Sequence, residues 1–247
     1  MCTLTLMRGA QRLLITMNRD EARFRGPEAP PRLYSVGGGV PDWIGPVDTD
    51  SGGTWIGVND RGVAACLLNR YAPGDMAAER LLPGSHSRGD IIPDVLSQPN
   101  VEQSLAHMRE RLDPQKYGSF TLVIASMDAW HAFEWAYGDG IAEFSLEPPN
   151  ALLTSSAMDT AEVLPWRRER YEAWLANGAP FQGHLPAIHL DHPEGKADWA
   201  TLMDRPISAT RSITQVEITP AATTMRYWPR EEGQLDFGEP AVEMALG

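Results

Sequence analysis

The chain has 247 residues, 43% of them hydrophobic and 22% charged, a balance that fits a folded globular protein able to bury a large core. Its formal net charge of −12 argues against binding a nucleic-acid backbone, which needs a basic face, and against adhesion to anionic lipid surfaces. Its two cysteines, Cys2 and Cys66, imply no disulfide framework and suit a reducing compartment. A single domain over residues 1–247 is expected. It is expected in the cytoplasm, without a secretory leader and without an apolar run near the ~18 residues of a membrane span.

The first element carries the most chemistry. The chain opens Met1-Cys2-Thr3-Leu4. Removal of Met1 leaves Cys2 with a free α-amino group on the same residue as its thiol. The thiolate is the nucleophilic form, with an ordinary pKa of about 8.5. An α-amine titrates near ~8 and can take up the proton without a histidine. Cys2 to Met7 and Arg12 to Met17 are apolar-rich runs, and Gly9 and Ala10 between them predict a tight hairpin. Turning there sets Leu6 opposite Leu13, Leu4 opposite Ile15 and Cys2 opposite Met17, all on one face. Asn18-Arg19-Asp20-Glu21 then lies beside Cys2 at the open end of the pair. An acid there can hold the terminal amine, and an arginine can bias the thiol toward thiolate. The working pair is Arg19 and Asp20 or, one position out, Asn18 and Glu21, with the other two left to touch substrate.

The Pro/Gly-rich passage from Gly26-Pro27 to Pro46 reads as a long surface loop near the site mouth. Thr54–Val58 and Val63–Leu68 read as a second hairpin turning at Asn59-Asp60-Arg61-Gly62. Cys66 falls inside this apolar run and is expected to be inert core. Asn69 ends the run at the same edge as Cys2, where a side-chain amide can stabilise an oxyanion; such a donor is worth roughly 3 kcal/mol. Ser87 predicts a helix start before Ile91–Leu96, with Pro93 in an early turn. Asn100 caps a helix through Leu112, whose Val101, Leu105, Met108 and Leu112 share a face. Ser119–Ala125, Trp130–Tyr137 and Ile141–Phe144 form a meander. The first of these strands is apolar on both faces, as in the middle of a layered sandwich. Helices follow at Pro165–Ala176 and Ala197–Met203, then strands at Ile213–Thr219 and Met225–Trp228.

Other constellations are weaker. The tryptophans read as core filler. His184, His189, Asp191 and His192 lie close in sequence, but without a Cys pair or a helical His-Glu-x-x-His spacing they read as a solvated loop rather than a zinc site. No glycine-rich phosphate loop or dinucleotide fingerprint is present, so no cofactor is expected. The acidic average leaves room for a local basic pocket built from Arg19, Arg88 and Arg211.

Met1-Cys2-Thr3-Leu4 with Met17-Asn18-Arg19-Asp20-Glu21 resembles the opening of the NRDE family, also called the transport-and-Golgi-organisation family. The similarity continues at Gly52-Gly53-Thr54-Trp55-Ile56-Gly57, Arg61–Asn69, Ser87-Arg88-Gly89, Pro165-Trp166 and Thr210-Arg211-Ser212. The resemblance implies an α+β fold like that of the N-terminal-nucleophile hydrolases: a four-layer αββα sandwich of two mainly antiparallel sheets flanked by helices. Family membership implies no settled activity; Cys2 on such a fold leads to the expectation of a small-molecule substrate whose amide or related acyl bond is cleaved by Cys2. In that scheme Asp20 orients the amine, Arg19 tunes the thiol, Asn69 serves the oxyanion and Arg211 supports the pocket. Other amidases of this fold place an Asn after a late strand; here Leu153-Thr154-Ser155-Ser156 stands there, making Ser156 the substitute donor. Thr210-Arg211 follows Ser208-Ala209 where the family usually has a Gly. The alternative implied by the eukaryotic relatives is a non-enzymatic carrier of haem or lipid on the same scaffold.

Overall fold

A computed structural model describes residues 2–71, 86–136 and 139–247. Among these residues the strands are β1 (Cys2–Arg8), β2 (Leu13–Ala22), β3 (Ala29–Tyr34), β4 (Trp43–Val47), β5 (Ile56–Asn59), β6 (Ala64–Asn69), β7 (Phe120–Ala125), β8 (Trp130–Ala136), β9 (Gly140–Ser145), β10 (Asn150–Thr154), β11 (Phe181–Gln182), β12 (Leu185–Pro186), β13 (Ser208–Ile218), β14 (Thr223–Pro229) and β15 (Val242–Leu246). The α-helices are α1 (Ile91–Leu96), α2 (Val101–Arg111) and α3 (Thr160–Ala176).

Two antiparallel sheets carry the architecture. One runs β10-β1-β2-β13-β14-β15, the other β3-β4-β5-β6-β7-β8-β9. They pack face to face through Leu4, Leu6, Ile15 and Met17 from the first and Ile44, Ile56, Cys66 and Leu68 from the second. Cys66 is buried in this layer, as its apolar run predicts, and burial pushes its thiol up. Helices α1 and α2 cover the outer face of the second sheet, where Ile91, Val95, Leu105 and Met108 meet Leu67, Phe120 and Leu122. Tyr171 and Trp174 of α3 pack with Ile188 near Met7 and Leu152 on the outer face of the first. The result is the expected αββα order of layers.

Strand β1 is buried on both faces. Its even residues enter the layer between the sheets, while Thr3 and Thr5 face the helix side, both fully buried. The register differs from expectation by two residues: Cys2 pairs with Arg19, Leu4 with Met17 and Leu6 with Ile15. The connection is longer than a tight turn, with the Gly9 N–H donating to the Arg12 carbonyl at 2.8 Å. A slip of two preserves the apolar face, because side chains alternate with period two. It brings Arg19 directly across from Cys2.

Several other expectations change. The 26–46 passage contains β3 and β4 rather than a continuous loop. Pro30 and Pro31 are tolerated because β3 is an edge strand with an irregular pairing between Ala29 and Arg32. Residues 197–203 are not helical. Their carbonyls are taken by side chains: Arg167 donates to Trp199 and Ala200, and Asn18 to Thr201. The second hairpin turns as predicted, with the Asn59 side chain accepting from the N–H groups of Arg61 and Val63. Gly62 there adopts φ +72, which favours glycine. Asn100 caps α2 by accepting from the Gln103 N–H at 2.9 Å. Strands β10 and β15 complete the edges of the first sheet. Among the described residues no helix is long and apolar enough to cross a membrane.

Asn18 fastens the helix-side layer to the first sheet. Its amide nitrogen donates to the carbonyls of His189 and Thr201, so its oxygen accepts from His189 Nδ1 at 2.7 Å. His189 Nε2 then accepts from the Thr5 hydroxyl at 2.7 Å, which defines a neutral ring. Burial pushes this imidazole down to about 3. The folded protein therefore refuses a proton that the unfolded chain takes up near ~6.5, so this contribution to stability is complete above that pH and lost as pH falls toward 3. Urea unfolding should show wild type losing about 1.2 kcal/mol more than His189→Gln between pH 6 and 5. Parallel pH profiles for the two proteins would remove His189 from the acid response.

Candidate active site

Cys2 begins β1 at the end of the layer between the sheets, 7% exposed, at the floor of a cleft of about 610 Å³. The main chain around it is fixed. Its N–H donates to Ser155 Oγ at 3.1 Å, and its carbonyl accepts from the Ser155 N–H at 3.0 Å. Burial pushes its thiol up. The charge of the Asp20 carboxylate acts the same way, while a hydrogen bond from the Asp20 main chain and the charge of Arg19 pull the other way.

Arg19 stands across from Cys2 on the cleft side of β2. Its guanidinium donates to Glu28 Oε2 and Asp48 Oδ2, both at 2.7 Å, and lies 3.4 Å from Glu21 Oε2. It also stacks over the Trp55 ring at 4.4 Å. With only 6% of the side chain exposed, its charge is compensated in place, and it bolts β2 to the second sheet. Burial acts to raise the Asp48 carboxyl, but Arg19 and Arg25 outweigh it and hold the group below its usual range.

Asp20 points to the opposite face, because neighbours alternate along a strand. Its Oδ1 accepts from the Thr210 hydroxyl at 2.7 Å, and its Oδ2 lies 4.0 Å from the Arg167 guanidinium. Both side chains are entirely buried. Burial pushes the Asp20 carboxyl up, with Arg167 the foremost opposing influence. Arg167 also donates to the hydroxyls of Thr3 and Thr154 at 3.1 and 2.8 Å and to the Ala200 carbonyl at 2.8 Å. This one side chain thus ties β1, β10 and the 197–203 segment together beneath Cys2.

The sequence-predicted residues divide accordingly. Asn69, Glu21 and Arg88 line the cleft with Cys2 and Arg19, and Asp20 borders it. The Asn69 amide donates to the Tyr71 hydroxyl at 3.1 Å, and Arg88 donates to the Ser119 carbonyl at 3.0 Å. Asn18 does not reach the cleft; it is fully buried against His189. Ser156 is turned away, its hydroxyl donating to the Met158 carbonyl at 2.6 Å and accepting from Arg205. Its neighbour Ser155 meets Cys2 instead. Arg211 sits at an irregularity in β13, where its guanidinium reaches the Arg23 carbonyl at 3.4 Å and lines a separate hollow with Arg23 and Arg230.

The histidine-rich segment has four different attachments: His184 meets Glu239, His189 meets Asn18 and Thr5, Asp191 meets Arg170, and His192 meets the Leu202 carbonyl. Among the described residues no group of three or more His, Cys, Asp or Glu is placed to hold a metal ion. Sequence reasoning missed Asp48, Trp55, Ser155 and Arg167. Only Arg167 had a readable signal: it is a charged residue within the buried stripe Val163, Arg167, Tyr171, Trp174, at helical spacing.

The family described as Transport and Golgi organisation 2 matches residues 1–173, more than half of the chain. The chain belongs to this family. The human transport and Golgi organization protein 2 homolog is 27% identical over 170 residues, which cover 65% of this chain and 55% of that protein. The chain spans about half the length of the curated relatives it matches. Among solved structures it is similar to the Caenorhabditis elegans ortholog of N-acylethanolamine-hydrolyzing acid amidase. That match has a TM-score of 0.56 at 11% identity and covers 89% of this chain and 93% of the other. It is also similar to penicillin V acylase from Agrobacterium tumefaciens, with a TM-score of 0.52 at 14% identity over 93% and 83% of the two chains. At such identities the likeness is one of fold, and the fold of this family member is that of the N-terminal-nucleophile hydrolases.

Replacing Arg167 by Met leaves Asp20 as a buried charge with its main compensation gone, a loss of about 3–5 kcal/mol. Denaturant unfolding should show Arg167→Met destabilised by that order and Arg167→Lys by less. Equal losses in the two variants would mean that packing, not charge, is what Arg167 supplies.

Proposed function

We propose that this protein is an N-terminal cysteine amidohydrolase acting on a linear amide or related acyl bond of a small molecule. The observation that carries this reading is the placement of Cys2: a cleft-floor thiol whose own nitrogen is held by Ser155, with Arg19 across the strand pair and Asp20 next in register. With Met1 attached, the Cys2 nitrogen is an amide and no base. Once Met1 is removed, the amine is held between Ser155 Oγ and the Asp20 carboxylate, and it takes the thiol proton. The thiolate attacks the substrate carbonyl, and the C–N bond breaks as the amine group returns that proton to the leaving nitrogen. Water, deprotonated by the same amine, then cleaves the thioester to the acid and frees the thiol. Asn69 is the side chain assigned to the oxyanion, while Arg19 and Arg167 act through others as positioning residues. Two free cysteines suit work in the reducing cytoplasm.

A non-cleaving binding role on the same scaffold, for haem or a lipid, is favoured by one observation: burial pushes the Cys2 thiol up, away from the reactive form. Exposure of the amine decides between the two, since an ammonium beside the sulfur draws the thiol down again. Intact mass should show Met1 absent from the purified protein, and iodoacetamide should modify Cys2 faster than Cys66. The Cys2 rate should climb with pH as thiolate forms. Cys2→Ala should abolish hydrolysis of any amide the wild type cleaves. Turnover that survives Cys2→Ala ends the account of Cys2 as nucleophile, and retained Met1 with an inert Cys2 favours the binding role.

A further inference from the structure

The described wall of the cleft above Cys2 is chemically unlike an acyl-chain pocket. Among its described lining side chains, apart from Cys2 itself, only Trp55 and Leu67 are apolar, and both are more than nine-tenths buried. The rest of the described wall is polar or charged, with Glu21, Arg25 and Asp48 in one group and Asn69, His86 and Arg88 in another. The first group is an ion-pair network: Asp48 accepts from Arg19 at 2.7 Å and from Arg25 at 2.7 and 2.9 Å, while Glu21 lies 3.8 Å from Arg25. Glu21, Arg25 and Asp48 in it stay partly exposed to the cleft.

Size does not decide what enters, because about 610 Å³ lies well within the range of small-molecule pockets. Desolvation does. A hydrocarbon chain laid along this wall strips water from ion pairs and amides without replacing any hydrogen bond, and each such loss costs on the scale of an unmade bond. A substrate with its own donors and acceptors exchanges those bonds instead. Groups of both signs on the walls match a substrate that carries both.

Building on the amidohydrolase reading, we infer that the cleft takes a short, polar, peptide-like amide rather than a fatty acyl amide. The chemistry of the described wall disfavours a long chain as the group bonded to the scissile carbonyl. It admits an amino-acid residue there, with its ammonium and carbonyl groups hydrogen-bonded along the rim.

The test uses two chloromethyl ketones that share a warhead and differ only in the tail, one dipeptidyl and one with a long alkyl chain. In each case the Cys2 sulfur forms a C–S bond to the methylene carbon as the C–Cl bond breaks and chloride leaves. Intact mass and peptide mapping of the full-length protein give the rate at Cys2, with Cys66 as the internal reference. Because the warhead is common, thiol reactivity cancels and the ratio reports the cleft. The peptidyl reagent should label Cys2 at least ten-fold faster. Equal rates, or a faster alkyl reagent, would overturn the peptide-like assignment while leaving Cys2 as nucleophile intact. No labelling of Cys2 by either reagent would overturn both.

Discussion

Two charges lie fully out of water beneath the first strand, Asp20 and Arg167, and each makes the other tolerable. Neither could be buried alone, since an uncompensated ion inside a protein costs several kcal/mol. The pair is not a closed unit. Asp20 also takes the Thr210 hydroxyl, while Arg167 spreads its remaining donors over Thr3, Thr154 and two carbonyls of the 197–203 segment. Distant parts of the chain converge on one guanidinium as a result, and the strand that presents Cys2 is held from below. The position of the thiol is therefore a property of the helix-side layer as much as of the hairpin that carries it.

The alternation of β2 explains how one short run of polar residues supplies two environments. Arg19 and Glu21 go to the cleft side, and Asn18 and Asp20 go under the sheet. Above, Arg19 is caged by Glu28, Asp48 and the Trp55 ring. Below, Asn18 and Asp20 anchor the segments that cover the first sheet. Four consecutive polar side chains in a strand are usually a solvated edge. Here Asn18, Arg19 and Asp20 are buried, and each has a specific partner on its own face. Such a run is costly unless every group is satisfied, so it reports a built site more reliably than any one of its residues.

Much of this was legible in the chain itself. The apolar spacing of Leu4, Leu6, Ile15 and Met17 implied a hairpin facing a core, and that parity survives the two-residue change in register because the pleat repeats every two residues. The run at Ser119–Ala125 implied a central strand, and β7 within it is central. What could not be read were the partners. Pro30 and Pro31 looked like loop because edge strands excuse prolines that central strands do not. Residues 197–203 looked helical because nothing local reveals that Arg167, thirty residues earlier, takes their carbonyls. Ser156 was chosen over Ser155 by position alone, although only the pairing of β1 with β10 decides which hydroxyl meets Cys2.

The burial of the thiol and the argument for a terminal amine belong together. A cysteine pushed up by desolvation is a poor nucleophile, and the ordinary remedy is an adjacent histidine or an unpaired arginine. Arg19 is close but already committed to two carboxylates, and His189 is sealed as a neutral ring in the layer below. On the amidohydrolase reading, the base that would move the thiol proton is the chain's own nitrogen, freed by removal of Met1. It is the one already held in position by Ser155 and closest in register to Asp20. A lone ammonium there also compensates the buried carboxylate from above as Arg167 does from below. On that reading, the same charge that activates the thiol would offset part of the cost of burying Asp20.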